Sequence, residues 1–161
     1  MNTTAEAGKT LLTTPGDREI HVERIFNAPR EKVWQAYTDP KLVAQWWGRG
    51  NKLDVEKMEL VKDGRWRFVE HSGEKPFGFE GRYIEIKPPE RIVQTFGWDG
   101  MEGHEIVETA EFHDLGDGRT KLVATSVFQS PEERTAMFGY GMEAGMNESY
   151  AALDRLLSSG F

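Results

Sequence analysis

Apolar and polar side chains alternate from Ile20 to Phe26: Ile20, Val22, Arg24 and Phe26 share one face, and His21, Glu23 and Ile25 the other. This period of two predicts a strand. The run stops at Asn27-Ala28-Pro29, a helix-start signal, after which Val33, Trp34 and Tyr37 fall at helical spacing. Asp39-Pro40 starts a second short helix, with Asp39 as its cap and Pro40 at a position where a missing N–H costs nothing. Val43, Trp46 and Trp47 lie on one face of it, and Gly48 suits a left-handed end. From Lys52 to Gln129 the pattern turns to strands: Lys52–Leu60, Arg65–His71, Phe77–Lys87, Arg91–Trp98, Glu105–Leu115 and Arg119–Gln129. The joints (Asp63-Gly64, Ser72-Gly73, Pro88-Pro89, Asp99-Gly100 and Gly116-Asp117-Gly118) carry turn residues and leave no room for a crossover helix. Consecutive strands joined this way form an antiparallel meander.

The last segment predicts a long helix. Ser130 is a good N-cap, Pro131 fits the first turn and Glu133 completes a capping box. Met142, Met146, Ser149, Leu153 and Leu156 then form one stripe, which needs a partner surface that only the meander offers. The reading is an α+β fold: a curved seven-strand antiparallel sheet wrapped around a long C-terminal helix, with two short helices between strands 1 and 2. Residues 17–161 form one domain. Residues 1–16 have little to bury, end at Pro15-Gly16 and read as a flexible leader.

Composition narrows the function. Acidic residues outnumber basic ones, 27 to 20, for a formal charge of −7. A phosphate backbone is bound by clustered Lys and Arg, so nucleic acid is not an expected partner. Apolar runs are too short for membrane insertion, and residues 1–16 lack a signal-peptide pattern. The expectation is a soluble, cytoplasmic protein. There are no cysteines, hence no disulfide or thiolate chemistry.

Aromatic residues crowd the strand faces that would look toward the final helix: Trp66 with Phe68, Phe77 with Phe79, and Phe96 with Trp98. Trp46 and Trp47 end the second short helix, while Met142 and Met146 supply flexible thioethers opposite. Such residues either fill a core or line a ligand cavity, and patterning alone leaves both readings open. Glu70, Gln94, Glu108 and Ser126 share strand faces with this apolar set. His21, His71, His104 and His113 are scattered without metal-ligand spacing, and there is no nucleophile elbow, phosphate loop or dinucleotide fingerprint. Glu70 and His71, as strand neighbours, point to opposite faces. No catalytic residue, metal or cofactor is assigned. Gly139-Tyr140-Gly141 reads as a hinge at the start of the helix.

Taken in order, Glu23-Arg24-Ile25-Phe26-Asn27-Ala28-Pro29, Val33-Trp34, Thr38-Asp39-Pro40 and Gln45-Trp46-Trp47-Gly48 resemble the opening of the family named after the activator of heat-shock protein 90 ATPase. Gly64-Arg65-Trp66-Arg67-Phe68, Glu80-Gly81, Pro88 to Val93, Gly118-Arg119-Thr120 and Gly141 to Leu156 fit its sheet and last helix, so the resemblance runs from about residue 18 to the end. It implies the helix-grip fold of the START and birch-pollen-allergen proteins (the SRPBCC superfamily) and a hydrophobic pocket whose ligand varies between members. Where the family often has Trp after the glycine, this chain has Met146, which would widen the pocket. The eukaryotic activator has a further N-terminal domain that the residues before 18 are not expected to supply, so chaperone activation is not carried over.

Three functions follow as expectations. The first is binding of a hydrophobic, lipid-like, aromatic or polyketide-like small molecule by Trp46, Trp47, Trp66, Phe68, Phe79, Phe96, Trp98, Met142 and Met146. Entry would be near the Trp47–Gly50 loop or the Gly139–Gly141 hinge. The second is an interaction module for a chaperone or similar protein partner, which requires a filled interior. The third is a cyclase- or hydrolase-like enzyme, which requires an inward titratable group such as Glu70 or Glu108.

Overall fold

The computed structural model describes residues 8–49, 51–71, 73, 75–100, 103–139 and 141–161. Residues 1–7 of the expected leader, Gly50 of the Trp47–Gly50 loop, Ser72 of one turn and Tyr140 of the expected hinge lie outside the described residues. The elements run β1 (Thr10–Thr13), β2 (Glu19–Phe26), α1 (Arg30–Thr38), α2 (Pro40–Trp46), β3 (Lys52–Met58), β4 (Arg65–His71), β5 (Phe77–Lys87), β6 (Arg91–Trp98), β7 (Ile106–Asp114), β8 (Thr120–Val127), α3 (Pro131–Gly139) and α4 (Met142–Ser158).

All strands belong to one antiparallel sheet of eight, in the order β1-β2-β8-β7-β6-β5-β4-β3. The meander is present as β3 to β8, and β2 closes on β8 from Glu19 opposite Val127 to Phe26 opposite Thr120. The strand count corrects the expected seven. Thr10–Thr13, inside the stretch read as a flexible leader, pairs with β2, Thr10 opposite Arg24 and Thr13 opposite His21. The physical reason is the free edge of β2, whose backbone groups need partners. Leu12 adds a contact to the core, and Arg24 Nη1 donates to Thr10 Oγ1 at 3.3 Å.

The helix expected from Ser130 is divided. Ser130 caps as read, its Oγ accepting from Glu133 N–H at 3.1 Å, whereas Glu133 Oε2 accepts from Gln129 N–H, one residue before the cap, at 3.2 Å. These bonds start α3, however, and Gly141 opens a second helix, α4, of 17 residues. No residue of α3 is buried, and polar ties hold it, including Arg134 Nη1 to the Gly16 carbonyl at 3.0 Å.

The sheet bends around α4. Strands β2 and β4 are five places apart, about 24 Å along a flat sheet. Both nevertheless reach α4: Arg24 pairs with Asp154, while Glu70 binds Arg49, whose backbone N–H donates to Ser149. Register shifts at Val55/Lys57 and Tyr83/Glu85 are the irregularities that bend strands.

Packing along α4 is uneven. Tyr150, Ala152, Leu153, Leu156 and Leu157 are its buried residues, all in the C-terminal half. There they close a core with Phe26, Val33, Ala36, Phe112 and Leu122. The N-terminal half buries nothing completely, because beneath Met142 and Met146 the sheet and the helix do not meet.

Candidate functional site

A cavity of about 840 Å³ occupies that gap. It lies in the size range of small-molecule sites, roughly 300–1,000 Å³. The wall is built from adjacent strands: Phe68 on β4 stands opposite Phe79 on β5, and Phe79 opposite Trp98 on β6. Phe96, two residues from Trp98 and so on the same face, stacks on Phe79 with centroids 5.6 Å apart.

The end of α2 supplies the other wall. Asp39 Oδ1 accepts from Lys41 N–H at 2.9 Å and Pro40 occupies the first turn, so the helix is set as its sequence signals foretold. Trp46 is fixed by its indole N–H, which donates to the Ala36 carbonyl at 2.9 Å. Trp47 leaves the helix in extended conformation, and Gly48 follows in the left-handed region at φ 83°. That turn lays the Trp47 ring edge-on against Phe79 at 5.0 Å and Phe68 at 5.2 Å.

The structure brings together all of the sequence-predicted wall residues except Trp66: Trp46, Trp47, Phe68, Phe79, Phe96, Trp98, Met142 and Met146 line the cavity. Trp66 is the correction. It is 1% exposed and sits under the wall, its indole N–H donating to the Thr95 carbonyl at 3.2 Å. Gly81 makes that bond possible, since a Cβ there would come within 2.6 Å of the Trp66 nitrogen and 1.9 Å of the Thr95 oxygen.

Two polar groupings interrupt the apolar lining. The first is Glu70, almost fully buried, bound to Arg49 Nη2 at 2.6 Å. Arg49 is held in turn by its backbone N–H, which donates to Ser149 Oγ at 2.9 Å, so β4, the loop after α2 and α4 are tied together beside the cavity. The second is Glu108 on β7, which lines the inner end beside the filled core. Gln94 and Ser126 stand opposite it on the neighbouring strands, and Ser126 Oγ donates to Oε2 at 3.4 Å. Tyr37 of α1 and Tyr150 of α4 also feel the Glu108 charge, and burial together with that charge pushes both phenols up. Burial pushes the Glu108 carboxyl up to about 7, against a smaller opposite effect of the Ser126 hydroxyl. Its accessible surface is cavity surface rather than exterior, which is why a half-buried side chain behaves as a deeply buried one.

Glu70, Gln94, Glu108 and Ser126, read from register as members of this face, all line the cavity. Arg49 had no signal of its own: a lone cation in a glycine-flanked loop reveals nothing about a partner across the fold. Tyr37 was visible as a helix-face residue, but its convergence with Tyr150 on Glu108 depends on tertiary packing. Among the described residues no group of His, Asp and Glu is placed to hold a metal ion. The arrangement can enclose an apolar body and hold or move a proton at Glu108.

The profile described as activator of Hsp90 ATPase homolog 1-like protein matches residues 27–158, from just before α1 to the last turn of α4. The chain belongs to the activator of Hsp90 ATPase homolog 1-like family. Within that family's fold, α1, α2, the meander β3–β8, α3 and α4 are the matched part, and β1 and β2 lie before it. A crystal structure of a Rhodobacter sphaeroides protein is similar at a TM-score of 0.86 and 28% identity, covering 95% of this chain and 100% of the other. A solution structure of an Arthrobacter aurescens protein is similar at 0.85 and 21% identity, covering 92% and 91%. A crystal structure of a Mycobacterium smegmatis protein is similar at 0.81 and 18% identity, covering 94% and 100%. No curated protein matches the sequence. Membership in the activator of Hsp90 ATPase homolog 1-like family and the helix-grip architecture therefore stand together, and no helix among the described residues is long and apolar enough to cross a membrane.

Proposed function

We propose that the protein binds a hydrophobic or aromatic small molecule in the cavity between the sheet and the N-terminal half of α4. The observation that carries this reading is the volume of about 840 Å³, walled by aromatic rings from α2, β4, β5 and β6. Burying a ligand body there removes apolar surface from water on both partners, at about 25 cal/mol per Å². Met142 and Met146 adjust the roof to the ligand's shape. Entry is by displacement of α3, which buries no residue, together with the loop after Trp47.

Titration with an apolar naphthalene or anilinonaphthalene fluorophore tests the reading. Saturable binding at one site per chain is expected, with loss on filling the cavity by Met146→Trp. A linear, unsaturable signal that Met146→Trp leaves unaltered would remove it.

A second reading, catalysis inside the cavity by a cyclase- or hydrolase-like enzyme, is favoured by one observation. Glu70 and Glu108 both line the cavity, and the Glu108 carboxyl sits near the pKa of a general acid or base acting at neutral pH. Turnover by wild type that Glu108→Gln abolishes would support it. The interaction-module reading presupposes a filled interior, and the cavity counts against that premise.

A further inference from the structure

We infer that the inner end of the cavity is a seat for a protonated amine, with Glu108 taking the ammonium head of a ligand whose apolar body lies against Trp47, Phe79 and Phe96. The inference rests on the reading of the cavity as a ligand site and adds the chemical class of its occupant.

The argument is one of charge matching. Among the described residues three carboxylates border the cavity: Glu70, Asp99 and Glu108. Glu70 has Arg49 at 2.6 Å, and Asp99 has Arg67 at 3.0 Å. Among the described residues Glu108 has no cation, only the Ser126 hydroxyl at 3.4 Å. Arg49 and Lys75 also line the cavity but do not act on Glu108, and Arg24 of β2, whose charge reaches Tyr37 and Tyr150, pairs with Asp154 of α4 and Thr10 of β1. The remaining groups that face Glu108 are neutral: Gln94 of β6, Tyr37 of α1 and Tyr150 of α4.

A carboxylate buried among neutral groups is costly to ionise, and burial accordingly pushes its pKa up to about 7. An ammonium group brought in by a ligand reverses this, because the pair forms in a water-poor site where the charge-assisted bond is strong. The rest of the wall suits a cation as well. Aromatic faces attract positive charge, and the net charge of −7 raises the local concentration of cationic ligands. Gln94, Ser126 and the two phenols offer the further acceptors that an ammonium's remaining N–H groups need.

The experiment compares two probes with one body and different heads, 2-(1-naphthyl)ethylamine and 2-(1-naphthyl)ethanol, by calorimetric titration of the full chain. At pH 8 the amine is expected to bind at least about tenfold more tightly than the alcohol, the size of one charge-assisted bond. Glu108→Gln removes that preference, so that amine and alcohol bind with similar affinity. The pH arm needs no variant. An aliphatic amine stays protonated through pH 8, whereas Glu108 gains its proton as pH falls through about 7. Amine affinity of wild type therefore drops several-fold between pH 8 and pH 5.5, and alcohol affinity does not. Equal affinities for the two probes, or a preference that survives at pH 5.5 or in Glu108→Gln, overturn the amine seat and leave the cavity reading standing. Absence of saturable binding by either probe overturns both.

Discussion

A Cβ placed on Gly145 would lie 2.9 Å from Arg49 Cδ. The missing side chain on α4 is what lets Arg49 cross the helix and reach Glu70. Glycine there costs the helix about 1 kcal/mol relative to alanine, so the gap has a measurable expense and a measurable benefit.

Gly145→Val is expected to lower stability by about 1–2 kcal/mol, and Arg49→Ala by a similar amount, since either leaves a buried Glu70 less well paired. The figure is kept low because Arg49 is half-exposed and its pairing is screened by water. Combined, the two substitutions should cost little more than either alone, because both break the same contact. Urea unfolding of the two single variants and the double variant checks this. Simple addition of the two effects would place Gly145 outside the Arg49–Glu70 unit.

Glu108 makes stability depend on pH in a sense unusual for a carboxylate. Its folded-state pKa, about 7, lies above its ordinary value of 4.5. Between these two values the folded chain binds more protons than the unfolded one, so stability falls as pH rises from 4.5 to 7 and levels off above. The full effect is on the order of 3 kcal/mol. Glu108→Gln is therefore expected to stabilise the ligand-free protein at pH 8 by up to about that amount, and hardly at all at pH 4.5. Thermal unfolding of both proteins across this range is the measurement; parallel curves at every pH would contradict the assignment.

Gly81→Ala should be among the most damaging single-methyl additions. The new Cβ would fall 1.9 Å from a backbone oxygen, which cannot rotate away as a side chain can. Relief requires β5 to move away from β6, since a retreat of the Trp66 ring alone leaves the clash with the Thr95 carbonyl. A loss of about 3 kcal/mol or more is expected in chemical denaturation.

Met146→Trp tests the hollow itself. The residue lines the cavity from the roof, and an indole there replaces empty volume with wall. Affinity for an apolar fluorophore should fall by about tenfold or more while the folded state is kept or strengthened, since filling space restores dispersion contacts. Near-wild-type affinity would mean that the probe binds elsewhere.

Local chemistry explains what the sequence made legible. The alternation from Ile20 to Phe26 and the Asp39-Pro40 cap are signals completed within a few residues, and β2 and α2 lie where those signals put them. Thr10–Thr13 carries no alternation; it is a strand because β2 has an edge to satisfy, and that fact is not local. Gly139 and Gly141 flank the break between α3 and α4, but a capping box says where a helix begins, not that a second one must follow. At the site, strand register placed Phe68, Phe79, Phe96 and Glu108 on one face because period two survives folding. Trp66 shared that register and still misses the cavity, because Gly81 lets it sink to the Thr95 carbonyl. Arg49 was invisible, since its partners Glu70 and Ser149 are remote in sequence.

The Trp47 ring touches Trp66, Phe68, Phe79 and Phe96. Indoles 6.4 Å apart exchange excitation energy far faster than they emit, so light absorbed at Trp66 is read out in part at Trp47. Its emission colour and quantum yield thus track whatever displaces water from its open side. The cavity carries a built-in optical gauge, and unlabelled fluorescence is the simplest assay for whether a ligand enters it.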